Sequence, residues 1–126
     1  MWTKDAVLDK LSSARDGRTA DFFNQPIGAL DFRGHVFNDP VNFYSAIFTE
    51  NVNFSGAIFN KRATFDKAVF NKKALFDQSR FAAGTGFSQA HFMDEANFTA
   101  CLFTGSTRFW KSHFHKGTSK NRFADS

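Results

Sequence analysis

The densest set of candidate ligands in the chain is His91, Met93, His113 and His115. Imidazole nitrogens and a thioether are the donors that copper or zinc accept, so convergence of these four side chains would make a soft metal site. A ladder of solvated histidines on a surface accounts for the same residues, and no resident cofactor is expected. Cys101 is the one cysteine; it falls at a small-residue position of the pattern described below and is expected to pack, not to ligate. Lys61, Arg62, Lys67, Lys72 and Lys73 form a basic run that could meet phosphate or an acidic protein surface. Carboxylates are scattered, and Gly84-Thr85-Gly86 is too short to be a phosphate loop. No nucleophile, acid-base pair or metal-hydrolase motif is recognisable, so the chain is read as non-enzymatic.

Whatever positions these groups must follow the phenylalanines. Of 126 residues, 19 are Phe. From Phe32 onward they run Phe37, Phe43, Phe48, Phe54, Phe59, Phe65, Phe70, Phe76, Phe81, Phe87, Phe92, Phe98, Phe103, Phe109 and Phe114, at alternating steps of five and six. An α-helix would set residues five apart about 140° from one another and split the rings into separate stripes. One long strand would turn successive rings to opposite faces, because five is odd. There remains a short extended segment centred on each Phe, then a turn, with four such sides closing a coil. Each centre tends to follow a small residue two positions earlier, as at Ala46, Ala57, Ala63, Ala68, Ala74, Ala90 and Ala96. Positions two apart in a strand share a face, so large and small side chains fill one narrow tube together.

Ala96-Asn97-Phe98-Thr99-Ala100, Ala20-Asp21-Phe22-Phe23-Asn24 and Phe54-Ser55-Gly56-Ala57-Ile58-Phe59 resemble the units of pentapeptide repeat proteins, over about residues 20 to 116. The resemblance implies an all-β fold, a right-handed quadrilateral β-helix with the Phe series turned inward. Counting Phe22 and Ile27 as centres gives about four and a half coils. Residues inserted at Pro40, Asn51, Arg62, Lys73, Gly84, Glu95 and Ser106 lengthen the coil to about 22 residues and should occupy two opposite corners. Residues 1–19 are expected to form a short capping helix, with Thr3 as its cap, Val7, Leu11 and Ala14 on one face and Gly17 ending it. Residues 117–126 form a tail that loses the period, with Phe123 folding back over the last coil or docking on a partner.

The net charge is +4, distributed as +1 over residues 1–19, −3 over 20–60, +4 over 61–73, −2 over 74–100 and +4 over 101–126. The chain has neither a signal-peptide run nor a segment long enough to span a bilayer, and a cytoplasmic protein is expected. Outward positions before Phe carry Val36, Ile58 and Leu102 on one side and Ile47 and Val69 on another, with Arg80 and His91 between. Strips of this kind suit a protein partner, and the preferred expectation is an interaction or scaffold module. The resemblance implies an alternative, a DNA mimic acting on DNA gyrase or a related topoisomerase, although such a mimic needs an acidic rod. A metal- or anion-binding surface is a further alternative. Nucleic acid is not expected as a partner, because Tyr44 and Trp110 are the only aromatics at outward positions. The acidic first and basic last coils suggest a homodimer or end-to-end self-association.

Overall fold

The computed structural model describes residues 3–13, 20–21, 26–115 and 122–123. Strands of two residues, three at Ala96–Phe98, stack into four parallel sheets, which form the walls of a square tube. The first wall stacks Ala20–Asp21, Val41–Asn42, Ala63–Thr64, Thr85–Gly86 and Thr107–Arg108; the second, Pro26–Ile27, Ile47–Phe48, Val69–Phe70, His91–Phe92 and His113–Phe114. The third holds Leu30–Asp31, Val52–Asn53, Ala74–Leu75, Ala96–Phe98 and Arg122–Phe123, and the fourth Val36–Phe37, Ile58–Phe59, Arg80–Phe81 and Leu102–Phe103. Apart from the first pairs of the first and second walls, Ala20 with Val41 and Pro26 with Ile47 at 21 residues, neighbouring strands pair with a shift of 22 residues, as in Val69 with Ile47 and with His91. The last pair of the third wall departs from it: Asn97 meets Arg122, so the sheet is continued from within the C-terminal tail after a longer excursion.

The two Phe steps correspond to two kinds of corner. After Phe32, Phe43, Phe54, Phe65, Phe76, Phe87, Phe98 and Phe109 the chain makes a tight turn, closed by an N–H three residues on donating to the Phe carbonyl, as in Ala46 to Phe43 at 3.0 Å. The third residue of each turn has positive φ, the mark of a type II turn. Only Gly34 and Gly56 are glycines there; Ser45, Lys67, Gln78, Gln89, Ala100 and Lys111 take the left-handed conformation with a side chain. Asn or Asp just before the Phe caps many of these turns: Asn42 Oδ1 accepts from Tyr44 N–H at 2.9 Å, Asn53 from Ser55 at 2.8 Å and Asn97 from Thr99 at 2.9 Å. From Phe37 onward, the inserted residues fall between these turns, in the wider bends that join the second wall to the third and the fourth to the first.

Inside, the rings form four columns. Phe48 and Phe70 stack at 4.6 Å and 2°, Phe70 and Phe92 at 4.8 Å and 1°, while columns of the first and third walls meet edge-on, as Phe76 and Phe87 do at 5.4 Å and 87°. Both arrangements suit aromatic quadrupoles. Thirteen of the sixteen rings, Phe32 to Phe98, are buried, and Phe103, Phe109 and Phe114 are half-buried because they sit in the last coil of the stack. The seven alanines named above are fully buried beside them.

Lys4–Ser13 is helical and packs on the first strand. Thr3 caps it, its hydroxyl accepting from Ala6 N–H at 3.1 Å. Val7 is buried and Leu8 rests against the core. The side chains of Leu11, Ala14 and Phe123, and the positions of Gly17 and Phe22, lie outside the described residues.

Candidate interaction surfaces

The turn chemistry decides what each wall displays. Outward residues of the first and third walls precede a tight turn, so Asp31, Asn42, Asn53 and Asn97 are committed to capping it. The second and fourth walls precede wide bends and need no cap there, which leaves their outward columns free for other side chains.

On the fourth wall Val36, Ile58, Arg80 and Leu102 stand in register, one coil apart. Val36 is 43% and Leu102 37% exposed. The apolar strip expected from spacing is thus one straight column, broken once by Arg80. The second wall's column runs Pro26, Ile47, Val69, His91 and His113.

The basic run behaves differently. Lys61 and Arg62 occupy the wide bend between the fourth and first walls, Lys67 the tight turn between the first and second, and Lys72 and Lys73 the opposite wide bend. Residues contiguous in sequence therefore wrap around the tube, and the structure does not bring these five to one face. Lys67 Nζ lies 5.8 Å from the centre of the Tyr44 ring, and Lys111 Nζ lies 4.6 Å from that of Trp110, which is 63% exposed.

The histidines do cluster. His91 and His113 rings stack at 4.6 Å, and His91 Nδ1 lies 3.4 Å from His115 Nε2. The centres of those last two rings are 5.6 Å apart. The excess over the nitrogen separation is close to two centre-to-nitrogen radii, so the nitrogens face each other along the line between the rings. That is the geometry of a proton held by one imidazole and accepted by the other. Burial, then the neighbouring charges of His113 and His115, pull the His91 pKa below its ordinary value. Met93 is 41% exposed. Among the described residues, no three His, Cys, Asp or Glu side chains are arranged to hold a metal ion together. His91 and His113, with Lys67, Val69, Gln89 and Lys111, line a surface recess of about 390 Å³.

Cys101 points inward and is buried; its thiol donates to the Phe76 carbonyl at 2.9 Å and lies 3.1 Å from Ser79 Oγ. Burial pushes its pKa up to about 11, a thiol held protonated and unreactive.

Two further cavities lie on the first wall. One of about 410 Å³ is lined by Pro40, Val41, Asn42, Tyr44, Arg62, Thr64 and Asp66, the other of about 360 Å³ by Arg62, Gly84, Thr85, Ser106 and Arg108. Sequence reading missed both, because their walls come from residues one or two coils apart. The recurrence at 22 residues was the available signal, since it places Arg62, Gly84 and Ser106 in one column. No helix among the described residues is long and apolar enough to cross a membrane.

A family model described as pentapeptide repeats (9 copies) matches residues 27–69 and 65–113. No curated protein and no solved structure gives a match.

Proposed function

The chain belongs to the pentapeptide repeat family, and from that premise we propose that it is a non-enzymatic interaction module whose fourth wall receives a protein partner. The observation that carries this reading is the in-register column Val36, Ile58, Arg80 and Leu102 on a flat parallel sheet. Its backbone is fixed by the ladder and its rings are locked in the core, so a partner would meet a preorganised surface and little entropy would be lost in ordering it. The apolar positions supply desolvated contact area, and Arg80 fixes register through a carboxylate on the partner.

A duplex-mimicking rod would display carboxylates along its walls. Here the outward columns carry Arg80, Arg108, His91 and His113, and the net charge is +4, so gyrase inhibition is not the favoured reading. A reducing, cytoplasmic location agrees with the buried free thiol of Cys101.

The test is affinity capture from the native host followed by titration of the recovered protein against defined variants. Val36→Glu, Ile58→Glu and Leu102→Glu should abolish binding while the folded state persists. Equal affinity for wild type, the wall variants and a Lys61→Glu, Lys67→Glu, Lys72→Glu variant would overturn the reading.

A further inference from the structure

The cavity beside Gly84 has the composition of an oxyanion cradle. Arg62, Gly84 and Ser106 occupy one corner position in three successive coils, since Ala63 N–H donates to the Gly84 carbonyl and Thr85 N–H to that of Ser106. Gly84 therefore forms the middle of the floor, with an arginine on the coil before it and a serine on the coil after. Arg108 stands two residues along the wall from Ser106 and closes the far side. With coils about 4.8 Å apart, the flanking backbones are separated by roughly 10 Å, a gap that two arginine side chains can span toward one ligand.

The floor is open. A Cβ at Gly84 would have nothing within 4 Å of it, and φ there is not in the left-handed range. Among the described residues, no carboxylate lines the cavity. Arg62 and Arg108 form no ion pair with a described residue, and the Ser106 hydroxyl no hydrogen bond with one. The Thr85 hydroxyl is already engaged by the Ala83 carbonyl at 3.1 Å. The adjoining cavity does hold a carboxylate, that of Asp66, which is turned to the Ser88 amide.

We propose that this cradle binds a small free phosphate-class oxyanion, with Arg62 and Arg108 approaching from opposite sides and Ser106 donating a third hydrogen bond. A planar carboxylate is satisfied by one guanidinium fork, whereas a tetrahedral oxyanion accepts donors from several directions at once, which is what two arginines and a hydroxyl across a bare floor supply. The inference is independent of the interaction reading, since it concerns a different wall and a different ligand class.

The experiment is an amide NMR titration of the full chain with inorganic phosphate and with pyrophosphate at constant ionic strength, with succinate as the carboxylate comparison. Saturable shifts are expected at residues 84–86 and 106–108, strongest for pyrophosphate. Affinity should fall about tenfold or more in Arg62→Gln, in Arg108→Gln and in Gly84→Val, which puts a side chain on the floor at a position where a Cβ meets nothing within 4 Å. Arg80→Gln, on the fourth wall, should bind as wild type does. Shifts that never saturate, binding indifferent to Gly84→Val, or succinate bound as tightly as pyrophosphate would each overturn the assignment.

Discussion

Asp66 caps a turn one coil away: its Oδ1 accepts the Ser88 N–H at 2.9 Å, the role that Asn42 and Asn53 play within their own turns. The turn after Phe87 has Gly86 where a capping Asn would stand, and a Cβ at Gly86 would collide with the Asp66 carboxylate. Asp66 and Gly86 thus form one device split across two coils. We expect Asp66→Ala to cost about 1–2 kcal/mol in wild type and close to nothing in a Gly86→Asn background, where the turn caps itself. Denaturant unfolding of the four proteins measures this coupling, and additive effects would refute the device.

Ring deletions should depend on position along the tube. Phe70→Ala and Phe76→Ala remove rings stacked on both sides and should each cost about 3–5 kcal/mol. Phe103→Ala, in the half-buried last coil, should cost clearly less. Equal losses in chemical denaturation would mean that the end coil is packed like the middle.

The Cys101 thiol carries a pH signature. Its folded pKa is raised to about 11, above the unfolded thiol near 8.5, so the fold retains a proton that the unfolded chain gives up. Its contribution to stability is complete below the unfolded value and is lost as pH rises from there through about 11. Cys101→Ala should flatten the alkaline decline in stability relative to wild type, and native Cys101 should resist a thiol reagent at pH 8 until the chain unfolds. Immediate labelling of the folded protein would contradict the buried placement.

His91 should titrate in the opposite sense. Its lowered pKa means the fold favours the neutral ring, so this contribution is present above the unfolded histidine value of about 6.5 and is lost as pH falls through the lower folded value. His113→Ser uncovers the ring stacked on it and removes a neighbouring charge, and should raise the His91 midpoint in an imidazole NMR titration. A wild-type midpoint at or above the ordinary histidine value would count against the cluster.

The tube was legible because its signal is one-dimensional: Phe steps of five and six state where the chain turns, and the alanine two before a ring states which way it faces. Side-chain relationships across coils were not. Asp66 to Ser88 and Arg62 to Gly84 each span 22 residues, and their meeting depends on which neighbours lack a side chain. Lys61 to Lys73 read as one patch because adjacency in sequence resembles adjacency in space, but half a coil of chain carries a residue to the opposite corner of the square. The strand Arg122–Phe123 falls in a segment whose spacing no longer follows the period; a fold-back of Phe123 over the last coil was one of two expectations, but the lost period could not show that it would extend the third wall as a paired strand.

The 22-residue coil itself is most directly tested by removing one. Deleting residues 74–95 joins Lys73 to Ala96, keeps the six-residue step from Phe70 to Phe98 and puts Ala96 in register with Val52, the former partner of Ala74. The shortened chain should unfold in a single cooperative thermal transition and keep the strand signature, while deleting residues 74–93, a 20-residue piece, should destroy cooperativity by displacing every later ring. Equal cooperativity in the two deletions, or its loss in both, would contradict a prism built of interchangeable 22-residue coils.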